Sequence, residues 1–503
     1  MPETVDAKLE KRKLDALKRG IHRIGTEQTV PFSVNLVGVG KAGVEAVAEV
    51  LRGMPAGAQK VSVLVIDIGD ENLKAVRDLV AKNPEKADLQ TIALEIPSRD
   101  DLFATLRRYR EFLKLEYPRY YWNPNYEPWI PATSEHPSSV MGIKRAFAKA
   151  LYGRAYYDGD RGLETALRKF GAAVDAMRTQ SVIAIMFGAA DGAGSGMVVD
   201  VARHLSNVVF GRRALVVGIG VLPCMGDAGE HDGALFATLN ELDCMGDQAK
   251  NEGVMAVWGD LDRNPFTGGV ILVPREPAWQ ASHDLAATHS RVNREIAALL
   301  TNDGGKDLFE TLRMLNWVGA PPTQHAAART AYGAKWAHVL AYADLDGPIK
   351  LDKEYIGKLG LLPGYVPQFV EPRSQDEGAK AEAAVKAVGS LFAPSLPPAL
   401  TKGGQAGTIQ FILPCVSKKD LAAFYDARAV YDTKSWSDKL MDHSWLLDLG
   451  VMLCEPAIRF EGMAGECLWG CACWVVVPYE EIRGDREGVA STAKPQSVAT
   501  AAA

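Results

Sequence analysis

The 503-residue chain lacks the basic excess of a nucleic-acid binder: 56 Lys and Arg stand against 62 Asp and Glu, for a net charge of −6. A protein that grips a polyanion along its surface wants a strongly positive face, so nucleic acid is not expected as a partner. Long hydrophobic runs are missing too. No stretch approaches the ~18 uncharged apolar residues of a membrane span, so no integral membrane association is expected. The opening MPETVDAKLEKRKLDALKRG alternates charge and has no apolar core of the kind an export signal needs, which points to the cytoplasm. The seven cysteines form no even, extracellular-looking framework, as suits a reducing compartment. Three of them, Cys467, Cys471 and Cys473, lie close together in CLWGCACW and raise the question of a metal. Their spacing is not CxxC and no histidine is near. The context, WVVVP, reads instead as a buried strand on which Cys471 and Cys473 share a face. There is no internal repeat.

What is present is an ordinary globular balance, 47% hydrophobic and 23% charged, in a chain long enough for two or three compact units. Residues 6–20 suggest a charged helix, part of an N-terminal extension over 1–31. From Phe32 short β-branched runs alternate with helical patterns. SVNLVGVG and VSVLVIDIG end at glycine and are followed by helical periodicity; SVIAIMFG, ALVVGIGVLP and GGVILVP repeat the strand pattern. Strands alternating with helices predict an α/β fold with a doubly wound, mostly parallel sheet, placed here at 32–278. Two long interruptions, Tyr117–Pro131 and Lys250–Gly268, read as loops. Leu285, His289, Val292, Ile296, Leu299 and Leu300 recur at helical steps and predict a long helix that stops at NDGG. That helix and the acidic loop after it occupy 279–319. Mixed signals over 320–483 suggest a second, smaller α/β unit with a loop at 372–380, and the small, polar residues 484–503 read as a disordered tail.

Two glycine-rich loops carry the chemistry. The first, Gly38-Val39-Gly40-Lys41-Ala42-Gly43, follows a strand and opens a helix. Glycines let the backbone approach a phosphate, and a helix N-terminus offers free N–H groups and partial positive charge. Lys41 would either touch that anion or point to solvent. Asp67, at the end of the next strand, stands where a dinucleotide fold has its ribose-binding acid. With Asp70 it would alternatively serve Mg²⁺ beside phosphates, or both would be plain surface carboxylates. Taken alone, residues 32–70 fit a nicotinamide-dependent oxidoreductase. The second loop changes the balance: the strand IAIMF runs into Gly188, Asp191, Gly192, Ala193, Gly194, Ser195 and Gly196, and then a helix. Two cradles of this kind at one sheet edge would grip a polyphosphate from two sides.

Here the chain resembles the tubulin/FtsZ superfamily, whose diagnostic loop is GGGTG[ST]G. Gly192, Gly194, Ser195 and Gly196 match it, while Ala190, Asp191 and Ala193 depart. GVGKAGVEAV resembles the family's first loop, and VIDIGDENL the second. GIGVLPCMGDAGEHDGALFATLNEL resembles the ribose-side segment, with Asp227, Glu230 or Asp232 near the sugar, and VILVPRE the strand that follows. The likeness covers roughly residues 32–315 and implies GTP or GDP as ligand, with Mg²⁺ near Asp67 and Asp70. On the base side it puts Arg275, where the family has asparagine, and Asp284, with Ala286 replacing another likely asparagine. In LTNDGGKDLFE, Asp307 and Glu310 match the spacing of the acidic loop by which a family member orients water at its neighbour's nucleotide; an ordinary acidic helix start fits the same spacing. The implied function is a cytoskeletal or division-related GTPase that polymerises head to tail with itself. The alternatives are a structural or regulatory relative that binds nucleotide without turnover, and an NAD-dependent oxidoreductase. The departure that matters most is Asp191, a carboxylate where the family's backbone holds phosphate. Lys41, on the facing loop, is the expected compensation.

Overall fold

The computed structural model describes residues 32–55, 57–108, 130, 134–140, 142–227, 232–246, 251–252, 255, 259–273, 275–301, 337–342, 409–412, 433–434, 438, 441–442 and 472–476. The N-terminal helix, the Tyr117–Pro131 loop apart from Ile130, the 372–380 loop, the tail, Glu230, Asp307, Glu310, Cys467 and Cys471 lie outside them.

Six strands form the parallel sheet expected from the sequence: β1 (Phe32–Val39), β2 (Val61–Ile68), β3 (Ala87–Leu94), β4 (Gln180–Gly188), β5 (Leu215–Val221) and β6 (Gly269–Val273). Their order is β3-β2-β1-β4-β5-β6. The chain thus winds outward from β1 through β2 and β3 on one side and, after returning to pair β4 with β1, through β5 and β6 on the other, which makes the β1/β4 boundary a topological switch point. Beyond β6 the same sheet continues through β7 (Ala337–Tyr342), β9 (Ala472–Val476) and β8 (Ile409–Ile412), the last antiparallel. All three come from the 320–483 region. The strand expected around Cys473 is present as β9.

Strands β1, β2, β4, β5 and β6 are buried on both faces and apolar along most of their length, and their side chains divide with period two. Val63, Val65, Ala184 and Met186 enter one core with Val217 and Ile271. It is covered by α1 (Gly40–Gly53), α2 (Glu71–Lys82) and the later helix α9 (Leu285–Leu300). Leu64, Ile66, Ile183, Ile185 and Phe187 enter the other. That core is covered by α3 (Arg99–Arg107), α4 (Arg145–Tyr157), α5 (Gly162–Ala176), α6 (Gly192–Arg203) and α7 (Asp232–Gly246). The layers are those of a doubly wound α/β fold.

The long helix expected within 279–319 begins at Leu285, and a separate short helix precedes it. The short helix, α8 (Glu276–Ser282), ends at His283 in the left-handed region (φ 50°), and α9 begins after Asp284. The break has a local cause. The Asp284 carboxylate accepts from the amides of Ala286 (2.7 Å) and Ala287 (3.1 Å), capping the new helix. Among the described residues no helix is long and apolar enough to cross a membrane.

Candidate functional site

The register of the two switch-point strands brings the glycine loops together. Val39 pairs with Phe187 and Gly38 with Met186, so the chain leaves both strands at the same level of the carboxyl edge. The loops then touch through backbone. Gly40 is left-handed (φ 70°), and a β-carbon there would stand 2.6 Å from the amide nitrogen of Gly194 and 2.6 Å from Asp191 Oδ2. One on Gly194 would stand 2.8 Å from the Val39 carbonyl oxygen, and one on Gly43 would overlap the carbonyl of Met186. The glycines therefore serve close approach between the two turns.

The helix N-termini behind the loops differ. Helix α1 follows Val39, which has no polar side chain with which to cap it, and no acidic residue sits in its first turn. Lys41 extends outward, 67% exposed, with Nζ 4.0 Å from Glu45 one turn along; this, and not Asp191, is its ion-pair partner. Ala42 is half-buried. Helix α6, by contrast, is capped from within. Asp191 Oδ1 accepts from the Ala193 amide at 2.9 Å, and Oδ2 is buried against the glycines of both loops. The departure at Asp191 is thus an N-cap: the carboxylate answers the free amide and the helix dipole locally.

Ser195 is fully buried and turned away from the loop surface. Its hydroxyl donates to the Asp191 carbonyl (2.6 Å) and accepts from Arg145 Nε (2.9 Å). Arg145 also donates to the Ser195 carbonyl (2.9 Å), to Glu241 Oε2 (2.6 Å) and to the Asp442 carbonyl (2.8 Å). Gly192 and Gly196 are pressed onto the start of α4, at the carbonyls of Ile143 and Arg145. This face of the second glycine loop is a packing surface, and Arg145 is its anchor. The sequence offered no sign of it, because an arginine at a helix start usually reads as surface.

At the ends of β5 and β6, Asp227 and Arg275 meet each other. Arg275 donates to Asp227 Oδ2 (2.7 Å), to the Leu222 carbonyl (2.8 Å) and to His289 Nε2 (2.6 Å), and Asp227 Oδ2 also accepts from the Cys224 amide (2.8 Å). Burial works to raise the Asp227 pKa, but His289 and the Arg275 guanidinium outweigh it and hold it down at about 2. Asp284, expected beside the base, is exposed and caps α9. Asp67 is buried, and both its oxygens are engaged, by the Ile68 amide (2.8 Å) and by Asn72 Nδ2 (2.7 Å). Burial pushes its pKa up, and the Asn72 and Ile68 hydrogen bonds only partly offset that. Asp70 is exposed and pairs with Arg77 on α2. One carboxylate is therefore interior and the other exterior. Among the described residues no group of three or more His, Cys, Asp or Glu gathers as a metal site.

No family model matches the chain, and no curated protein matches it. Among solved structures it is similar to CetZ from Methanosaeta thermophila, at 15% identity over 55% of this chain and 57% of that one, with a TM-score of 0.26. It is also similar to a GTPγS-form protofilament of TubZ from Bacillus thuringiensis serovar israelensis, at 12% identity over 58% and 60% of the two chains (TM-score 0.31). A helical model of a two-stranded TubZ filament gives 12% over 59% and 58% (TM-score 0.32). The chain thus spans under two thirds of the length of each. Values this low assign no residue a role.

Proposed function

We propose that this chain is a tubulin/FtsZ-like protein that binds a guanine nucleotide by its phosphates at the β1/β4 switch point and assembles head to tail with copies of itself. One observation carries the reading. Two glycine turns leave adjacent parallel strands at one level and meet through backbone, with two helix N-termini behind them. The uncapped first turn of α1, from Gly40 through Ala42 to Gly43, would take phosphate oxygens, with Gly38 shaping the turn and Lys41 as an adjacent positive charge. Gly192 and Gly194 would close the opposite side. Asp227 and Glu230 belong on the sugar side, and Arg275 and Asp284 on the base side. The guanine assignment rests on the sequence resemblance.

Bound GTP would supply the phosphoanhydride; the chain's part is to bind, orient and exclude water. Asp307 and Glu310 of a neighbouring copy are proposed to hold the attacking water, since paired carboxylates can position and polarise it. A magnesium ion at Asp67 and Asp70 has less support, because the first is already hydrogen-bonded through both oxygens. The cradle fits a phosphate; this acidic pair does not fit a shared ion.

A second reading, nucleotide binding without turnover, is favoured by the Ala193 amide, which Asp191 already occupies. Light scattering with and without GTP and Mg²⁺, paired with phosphate release over a range of protein concentrations, separates the two. Hydrolysis at subunit contacts requires release per chain to rise steeply with concentration. Assembly without release supports the second reading, and turnover independent of concentration contradicts the shared site.

A further inference from the structure

We infer that Asp442 is a positioning residue of the nucleotide site, tying the second glycine loop to the start of α7 and so fixing the sugar side of the site against the phosphate side. This rests on the nucleotide reading above and adds to it a residue that stands 297 positions beyond Arg145 in the chain.

One residue reaches both elements. The Asp442 carbonyl accepts from Arg145 Nη1 at 2.8 Å, and the same guanidinium donates to the Ser195 hydroxyl and carbonyl in the second glycine loop. The Asp442 side chain goes elsewhere, to the first turn of α7. A β-carbon on Gly233 would overlap Asp442 Oδ2 and Lys434 Nζ, so this glycine leaves room for the pair. Lys434 Nζ donates to Oδ2 at 2.8 Å; Asp442 is 2% exposed and the lysine side chain 13%. The carboxylate thereby lies at the positive end of the α7 dipole, which suits its charge. The residue before it anchors the same stretch of chain. Met441 is buried in the core that α4, α6 and α7 cover, and its Sδ accepts from the Ser134 hydroxyl at 3.6 Å.

The two elements serve different ends of the proposed ligand. The second glycine loop closes on the phosphates, and α7 begins just after the ribose-side segment that carries Asp227. Their separation sets the span that the site presents. A backbone carbonyl and a buried ion pair hold that separation without touching the ligand. The two halves of the tie are chemically distinct. Replacing the Asp442 side chain leaves its carbonyl for Arg145, so the phosphate side keeps its support while α7 loses its own. Removing one charge of the Lys434–Asp442 pair would strand the other in the interior, so both have to be neutralised together.

The test is calorimetric titration of the full chain with GDP and with inorganic pyrophosphate, which lacks the sugar and base. One variant combines Lys434→Met with Asp442→Asn, which strands neither charge. The second, Gly233→Ala, keeps both charges and displaces the pair with a methyl group. Thermal melting without ligand checks that each variant folds. In both variants GDP should bind about tenfold more weakly than in wild type, while pyrophosphate affinity changes by less than about twofold. A role in stability alone would not divide the two ligands in this way. Equal losses for GDP and pyrophosphate, or a GDP affinity that neither variant moves, overturns the inference and leaves the nucleotide reading standing. So does a wild type that binds GDP but no pyrophosphate, because the two sides of the site would then not act separately. Binding of neither ligand by wild type overturns both.

Discussion

Gly40 lies directly against Gly194: a β-carbon on the first would stand 2.6 Å from the amide nitrogen of the second, and Gly40 is itself left-handed at φ 70°. The contact joins β1–α1 to β4–α6 at the β1/β4 boundary, where the sheet changes winding direction. A methyl group there costs twice, through backbone strain and through overlap with backbone that cannot rotate away. Gly40→Ala should therefore destabilise the protein by about 2–4 kcal/mol. Urea unfolding followed by far-UV circular dichroism measures this, and a change under about 0.5 kcal/mol, ordinary for a surface site, would mean that the loops separate readily.

Arg145 and Glu241 form an ion pair with both side chains fully buried, 2.6 Å apart. Removing one partner strands the other in the interior. Arg145→Met should cost about 3–5 kcal/mol, and adding Glu241→Leu should recover most of that loss. A double-mutant cycle in chemical denaturation gives the coupling. Additive losses would show that the guanidinium acts chiefly through Ser195 and the Asp442 carbonyl.

The Asp227 carboxyl, held at about 2 in the folded chain against an unfolded value of 3.8, stabilises the fold while it is ionised. Because the folded value is the lower one, that contribution is fully present above the unfolded value. It is lost as pH falls from about 4 toward 2. Asp227→Asn should flatten the acid limb of the stability curve over this interval and cost about 1–3 kcal/mol at neutral pH through the lost pairing with Arg275. Thermal melts at half-unit pH steps read both effects.

Asp67 should behave in the opposite sense. Burial raises its folded pKa above 3.8, so the ionised form is a liability that grows as pH rises through the folded value and vanishes below the unfolded one. Asp67→Asn keeps an acceptor for the Ile68 amide and should raise the melting temperature at neutral pH, with no gain at pH 3. A loss of stability at pH 7 would show that the charge is balanced by a group beyond Asn72.

The sheet was legible because strands buried on both faces are short, continuous apolar runs. VSVLVIDI, with every residue buried, states its own fate. Strand β3 gave less sign. ADLQTIAL lies at the sheet's outer edge, half exposed along most of its length, and its polar residues match that position. The position of the loops was legible too, since glycine at a strand end before a helical pattern has few other uses. What the loops do with their side chains was not. Asp191 serves the backbone two residues away, and Arg275 finds Asp227 forty-eight positions earlier in the chain. Local cap chemistry and long-range pairing answer to geometry that spacing does not encode. The helical steps from Leu285 to Leu300 were legible, whereas the short helix before them, ended by left-handed His283, carried no such pattern.

The most direct measurement is the identity and amount of nucleotide released when the purified chain is denatured in acid and the supernatant is separated by anion exchange. Two backbone turns meeting at the β1/β4 boundary predict a guanine nucleotide approaching one per chain. A chain that releases no nucleotide and takes none up on incubation with GDP would contradict the account, as would one that releases a nicotinamide dinucleotide.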